Sequence, residues 1–377
     1  MEFRDLKQQY QNLKVEIDCA VEEVMTKCNF ISGIQVKELE ERLAEYVGRK
    51  YCITCANGTD ALSIALMVWN IGPGDAVFVP DFTFFSTAEV VVACGATPIF
   101  VDVDQDTFNI DCKKLEDAIQ TVISEGKLIP KVIIPVDLFG QPADYTIIYE
   151  LAERYSLYVL EDGAQGFGGK IGENRACSFG DISTTSFFPA KPLGCYGDGG
   201  AIFTDNEEWM NTIRSICIHG KGSFKYDNVR IGVNSRLDTL QAAILKVKLR
   251  AFMESELESV NKAAAYYTEK LKGIVETPYV KDGYYSSWAQ YVIKLQDENN
   301  RNDLQEQLRQ KGIPTMVYYP KPLHSQEAFS FLEVKEDLEV TTNLTQIVLA
   351  LPMHPYLTKE DMDKVIDGVK EYCNNRG

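Results

Sequence analysis

Apolar positions follow two different periods along this chain. Leu6, Tyr10, Leu13, Ile17, Val21 and Val24 recur every three or four residues, a spacing that predicts a helix with one apolar stripe. Ser32-Gly33 interrupts it, and Val36, Leu39, Leu43, Tyr46 and Val47 resume the same period. From about residue 50 short apolar runs take over, at 51–54, 76–79, 97–103, 131–136, 157–160, 184–188 and 200–204. Helical stretches such as 59–69 and 115–124 separate several of them. Such alternation predicts an α/β fold with a mostly parallel sheet covered on both faces. Residues 235–272 read as a long helical region, with Leu237, Leu240, Ile244, Val247 and Leu249 on one side. Beyond it, 288–295 alternates as a strand, 303–311 reads as helix, and 359–372 as a closing helix. This tail predicts a smaller C-terminal α/β domain over 251–377, packed on a large domain over 1–250 that includes the N-terminal helical segment.

Length and charge narrow the field. A chain of 377 residues exceeds one compact core of ordinary size. The 55 acidic residues against 38 basic ones give a formal charge of −17, which argues against general nucleic-acid binding, because neutralising phosphates takes a basic stripe. A small phosphorylated ligand stays open, since local backbone N–H groups outweigh the global field. No run approaches the roughly 18 apolar residues of a membrane span, and the charged N-terminus lacks a signal-peptide core. A cytoplasmic protein without membrane or nucleic-acid partners is expected. Cys52 and Cys55 form the one C-x-x-C among ten scattered cysteines, alongside three histidines. They read as small buried residues at a strand end, with neither a metal site nor a disulfide framework expected.

In an open parallel sheet, ligands sit at the carboxyl ends of the strands, so three segments should converge there. Ala56-Asn57-Gly58-Thr59-Asp60-Ala61-Leu62 follows a strand and opens a helix. Its free N–H groups and the Thr59 hydroxyl would cradle a phosphate on the positive helix end; an ordinary N-cap by Thr59 or Asn57 reads equally well. In Glu161-Asp162-Gly163-Ala164-Gln165, Asp162 lies just past a strand. There a carboxylate could keep a pyridine nitrogen protonated, and Gln165 could donate to a phenolic oxygen; a turn or capping role is the alternative. The third segment runs from Ser183 to Lys191 and on to Gly199-Gly200. Lys191 follows an apolar strand and precedes a glycine-rich turn, where desolvation would make its amine a nucleophile and proton carrier. Ser186 could reach the same phosphate as Thr59.

Together these segments resemble the DegT/DnrJ/EryC1/StrS family of sugar aminotransferases, from about Phe3 to the end of the chain. The resemblance also rests on Asp137-Leu138-Phe139-Gly140-Gln141-Pro142 and Gly232-Val233-Asn234-Ser235-Arg236-Leu237-Asp238. It implies pyridoxal 5′-phosphate as cofactor, a type I aminotransferase fold, and a homodimer with active sites shared at the interface. By position, Lys191 would form the imine with the cofactor, Asp162 would pair with the pyridine nitrogen, and Gln165 with the ring hydroxyl. Gly58, Thr59, Ala61 (through its backbone) and Ser186 would hold the phosphate, joined by Asn234 from the partner subunit. Phe84 takes the place of the ring-stacking aromatic, with core packing as its alternative. Arg236, His219, Tyr318 and Tyr319 are candidates for holding the sugar nucleotide.

There are departures. Many relatives carry histidine where this chain has Tyr318, and again where it has Asp137, which leaves the cofactor machinery alone but puts the sugar contacts in question. Cys195 and Tyr196 replace smaller or acidic residues. A dehydratase branch has histidine in place of the lysine; Lys191 is present, which favours transamination. The implied reaction takes an amino group from L-glutamate and places it on a nucleotide-linked keto-sugar for bacterial surface-polysaccharide synthesis. The sequence looks most like the branch acting at C3, on UDP-2-acetamido-2-deoxy-3-oxo-glucuronate, with a dTDP-linked 3-oxo-6-deoxyhexose and then a C4 aminotransferase as alternatives. A pyridoxal enzyme of other chemistry and a non-catalytic binding protein rank below these.

Overall fold

The computed structural model describes residues 1–224, 226–334 and 337–374. The first period becomes two helices, α1 (Leu6–Lys27) and α2 (Ile34–Val47). Asp5 caps α1 by accepting from Gln8 N at 2.7 Å, and Gly33 opens α2.

The short apolar runs become strands β1 (Tyr51–Cys55), β2 (Asp75–Pro80), β3 (Thr97–Val101), β4 (Ile129–Ile133) and β5 (Tyr158–Asp162). A small hairpin follows, β6 (Lys170–Ile171) and β7 (Asn174–Arg175), and then β8 (Ile182–Ser186) and β9 (Gly200–Thr204). Seven of these form one sheet in the order β1-β9-β8-β5-β4-β2-β3. The pairs β2–β3, β2–β4, β4–β5 and β5–β8 are parallel, while β9 runs antiparallel to both β8 and β1. The expected mostly parallel sheet is therefore observed. β9 departs for a topological reason: a parallel return needs a crossover, usually a helix, and residues 187–199 contain none. That stretch, which carries Lys191, loops at the carboxyl end of β8 and turns straight back.

Alternation along the strands feeds two cores. Val77 and Val79 of β2, Val132 of β4 and Leu160 of β5 pack with Leu62, Ala65 and Leu66 of helix α3 (Gly58–Val68) on one face. Phe78, Ile133 and Val159 point the other way, to Leu115, Ile119, Ile148 and Leu151. Burial on both faces explains why these strands read as continuous apolar runs.

The long helical region is Thr239–Ala251, then a wider π turn at Phe252–Glu256, then Leu257–Leu271. Residue 250, the expected domain boundary, falls inside this helical run. Phe252 and Leu257 join one apolar cluster with Phe167, Phe203, Tyr291 and Val365, so packing is continuous across that point. Further on, β10 (Tyr284–Tyr285) pairs with β6, and β11 (Tyr291–Lys294) pairs antiparallel with β12 (Val348–Leu351). β11 is shorter than the run at 288–295, because Trp288 adopts a left-handed φ of 51° that no strand accommodates. Helices Glu298–Gln310 and Lys359–Asn374 match the two expected near the C-terminus. Helices Ser86–Ala93, Tyr145–Tyr155, Glu207–Ile216 and Glu339–Ile347 were not anticipated. Among the described residues no helix is long and apolar enough to cross a membrane.

Candidate active site

The sheet brings the three segments to its carboxyl edge. β1 ends at Cys55, and Asn57 caps α3 by accepting from Asp60 N at 2.7 Å. The capping reading thus holds for Asn57, and it still leaves the first helical amides, Gly58 and Thr59, without an acceptor inside the helix. Ala61 differs. Its N–H donates to Asn57 O at 3.1 Å and the residue is fully buried, so its backbone donor is already used within the helix. A Cβ added to Gly58 would lie 2.8 Å from Ser186 Cβ, and one added to Gly200 would lie 2.5 Å from Asn57 O. These two glycines let the start of α3 press against the ends of β8 and β9, which sets the Ser186 hydroxyl beside the helix N-terminus.

Asp162 closes β5 and is 5% exposed. Thr87 Oγ1 donates to its Oδ2 at 2.9 Å, and Ala164 N to its Oδ1 at 3.2 Å. Burial lifts its carboxyl above the ordinary aspartate value, and Thr87 and the Lys191 amine pull it back. Gln165 is locked in orientation: Oε1 accepts from Phe139 N at 2.8 Å, and Nε2 donates to Tyr319 Oη at 3.0 Å. One amide hydrogen of Gln165 is then left to donate elsewhere. Lys191 is half-buried on the returning loop, its N–H donating to Phe188 O at 2.8 Å. Desolvation pushes its amine below the ordinary lysine value, with Asp162 opposing and the Arg4 charge adding to the depression.

Phe84 is 54% exposed, which rules out core packing and leaves a free aromatic face. Tyr319 lies beside it, ring centroids 6.4 Å apart, and through Gln165 belongs to the same constellation. Tyr318 packs at 6.2 Å on Phe3. His219, Asn234 and Arg236 lie on a segment where Tyr226 and Ile231 are strongly exposed, and Ser235 Oγ, between Asn234 and Arg236, accepts from Ala56 N at 3.0 Å in the loop ahead of α3. Ile218 and Asn234 form an isolated bridge, and Arg236 Nη2 donates to Asn234 Oδ1 at 2.6 Å. Among the described residues no hydrogen bond joins this patch to Lys191, Asp162 or Gln165.

Asp137 corrects one expectation. It is fully buried, accepts from Tyr145 Oη at 2.9 Å and from Ala143 N at 3.0 Å, and touches no open surface. Burial and the neighbouring Glu161 push its carboxyl well up. The residue at this position is an internal brace, so its identity does not bear on sugar contacts. Three groups of the site escaped the sequence: Thr87, which fixes Asp162; Ser287, whose hydroxyl donates to Gln165 O at 2.7 Å; and Arg4, bonded to Lys191 O and Pro192 O. Each contact joins residues far apart in sequence, and none lies in a motif.

The model of the DegT/DnrJ/EryC1/StrS aminotransferase family matches residues 11–370. The chain belongs to that family. This aminotransferase is 46% identical to the UDP-2-acetamido-2-deoxy-3-oxo-D-glucuronate aminotransferase of Pseudomonas aeruginosa, over 95% of this chain and 96% of that one. It superposes with a TM-score of 0.96 on the crystal structure of a family member from Brucella abortus, at 48% identity and 99% coverage of both chains. A Bacillus subtilis structure solved with bound cofactor PMP has a TM-score of 0.87 and 32% identity, covering 96% of this chain and 82% of that one.

The aminotransferase's own residues fit pyridoxal 5′-phosphate. Because Gly58 lacks a Cβ, it packs directly against Ser186, which keeps the Ser186 hydroxyl beside the free amides of the helix start, donors suited to an anion. The buried carboxylate of Asp162 lacks a cationic side chain bonded to it among the described residues, and a protonated pyridine nitrogen is such a partner. The spare Gln165 hydrogen suits a ring oxygen, the exposed Phe84 face suits an aromatic ring, and the Lys191 amine suits an aldehyde.

Proposed function

We propose that this aminotransferase uses pyridoxal 5′-phosphate to move an amino group from L-glutamate to C3 of UDP-2-acetamido-2-deoxy-3-oxo-glucuronate. The observation that carries the amino-transfer reading is the desolvated Lys191 amine on the returning loop, under the charge of buried Asp162. The choice of sugar is supported by the likeness to the Pseudomonas aeruginosa enzyme.

Bound at this site, pyridoxal 5′-phosphate would supply an aldehyde that condenses with amines and a ring that draws electrons from the carbon beside it. The Gly58 and Thr59 amides, with the Thr59 and Ser186 hydroxyls, bind its phosphate. Asp162 holds a proton on the ring nitrogen, and Thr87 keeps the carboxylate aimed. Phe84 covers one ring face, and Gln165 donates to the ring oxygen. With the cofactor held there, the Lys191 amine would take the proton from the glutamate α-carbon and, in the second half, would deliver a proton to the sugar's C3. Low basicity in this amine helps, because only its neutral form accepts a proton.

Asn234 and Arg236 serve the site of the partner subunit in a homodimer. Because the two are hydrogen-bonded, whichever subunit supplies one supplies the other. Asn234 binds phosphate there and Arg236 pairs with the C6 carboxylate of the uronate; His219 lies on the same patch. Tyr319 and Tyr318 line the sugar side from their own subunit.

The test is a panel of UDP-, dTDP- and GDP-linked keto-sugars with glutamate, read by mass spectrometry of the products. An amino sugar only from the UDP-3-oxo-uronate is expected; preference for a dTDP sugar would move the substrate assignment. Lys191→Ala should abolish turnover, and retained turnover would remove the amine from the mechanism.

A further inference from the structure

The segment ahead of α1 touches three distant parts of the molecule. Phe3 O accepts from Met353 N at 3.4 Å, and the Phe3 ring meets Tyr318. Arg4 Nη2 donates to Lys191 O and, at 3.3 Å, to Pro192 O, reaching 187 and 188 residues along the chain. The charge of Glu256 and the phenols of Tyr356 and Tyr318 also act on the Arg4 guanidinium. Glu256 is itself buried, held by Gln9 Nε2 at 3.1 Å and by the Tyr356 hydroxyl.

We infer that Arg4 is a positioning residue for the transfer: it holds the Lys191–Pro192 backbone from the N-terminal segment and sets a positive charge against the Lys191 amine. The loop at 187–199 has no helix to order it. Its backbone is fixed locally by Lys191 N to Phe188 O and Cys195 N to Phe187 O, both 2.8 Å, but these bonds leave the Lys191 carbonyl to Arg4. One nitrogen, Nη2, donates to both carbonyls; its two N–H bonds are fixed in the guanidinium plane, whereas a lysine ammonium rotates freely on a more flexible stem. Two charges act on the amine, Asp162 from β5 and Arg4 from the N-terminal segment. Asp162 favours the protonated amine and Arg4 the neutral one. Burial lowers the guanidinium itself only to about 10, so Arg4 remains charged at neutral pH and its effect persists across the working range.

The inference rests on the reading of Lys191 as the reactive amine, but the labelling arm of its test does not depend on the sugar. The full-length protein, stripped of cofactor, is labelled with trace acetic anhydride over a pH series, and the Lys191 peptide is quantified against the other lysine peptides. Arg4→Gln should raise the Lys191 midpoint by about half a unit, cutting its labelling below the midpoint about threefold. Arg4→Lys keeps the charge and should leave the midpoint in place, yet lose about tenfold in kcat because a freely rotating ammonium no longer fixes the two carbonyls. An unshifted midpoint in Arg4→Gln, with only a lowered melting temperature, would reduce Arg4 to a structural anchor and overturn the inference. So would undiminished kcat in both variants. A wild-type protein that turns over no keto-sugar would instead strike the proposed function, so the two failures are separable.

Discussion

Replacing Gly58 by alanine tests the phosphate cradle directly. The added Cβ would sit 2.8 Å from Ser186 Cβ and 3.4 Å from Ser186 Cα, whereas unstrained carbon pairs settle at about 3.5–4.0 Å. Neither Ser186 atom can be rotated away, because both are fixed by the β8 backbone, so the start of α3 has to retreat by about 1 Å. Overpacking of this kind costs about 1–3 kcal/mol. Without cofactor the helix end can relax and recover part of that cost. With the phosphate bound, the Gly58 and Thr59 amides must face the anion beside Ser186, so the cost falls mainly on the bound state. At about 1.4 kcal/mol per tenfold, the dissociation constant for pyridoxal 5′-phosphate should weaken roughly five- to a hundredfold. The assay is an absorbance titration of cofactor-free protein, repeated with pyridoxal, which has the ring and aldehyde but no phosphate. Pyridoxal should bind wild type and variant almost alike. Equal weakening for both compounds, or no weakening for the phosphate, would refute the reasoning.

Two further perturbations separate the sugar contacts from the scaffold. Arg236→Ala should raise the Michaelis constant for the uronate about tenfold or more, with little change for a keto-sugar lacking the C6 carboxylate; an unchanged constant would remove Arg236 from that role. His324 Nδ1 lies 2.6 Å from Asp81 Oδ2, and its backbone N lies 2.8 Å from Oδ1, tying the loop after Tyr319 to the loop that carries Phe84. The bond to Asp81 raises the histidine above its ordinary value, and burial raises the Asp81 carboxyl as well. Both shifts mean that the folded state binds protons more tightly than the unfolded chain. The histidine's contribution is therefore complete below about pH 6.5 and fades as pH climbs through its raised value, while the contribution of Asp81 protonation is complete only below about pH 3.8. His324→Asn should cost about 1–3 kcal/mol at the acidic end, and the gap in melting temperature between wild type and variant should narrow as pH rises. A gap that stays constant with pH would show that the ring's charge contributes nothing.

Much of the architecture was legible from local pattern. Helices α1 and α2, the strand positions and the parallel sheet follow from periodicity, because a stripe or a doubly buried run leaves its mark on neighbouring residues. Strand ends were less legible: the apolar runs at 97–103 and 131–136 pass beyond β3 and β4, since Val103 and Val136 are buried in an apolar cluster with Val292 of β11 and Val348 and Ala350 of β12. The Ser86–Ala93 helix was missed because it is short and buries Ser86 and Thr87 along with Ala88, Val90 and Val91, which blurs the period; Tyr145–Tyr155 does carry a stripe at Tyr145, Ile148, Leu151 and Ala152 that periodicity could have found.

The sequence by itself determined which groups could do chemistry: a lysine after one strand, an acid closing another, a glycine-threonine helix start, and an amide three residues past the acid. Those groups lie at element ends, where turn chemistry is written in adjacent residues. Only the tertiary structure decided what state they are in. Thr87 orients Asp162, Phe139 N fixes which way Gln165 faces, Asp137 is withdrawn into the interior, and Arg4 comes from the far end of the chain to meet Lys191. The Asp137 bond to Tyr145 spans 8 positions, and the other three contacts span 26 to 187. Burial and charge act through space, so a group's basicity and aim depend on neighbours that its own stretch of chain does not name.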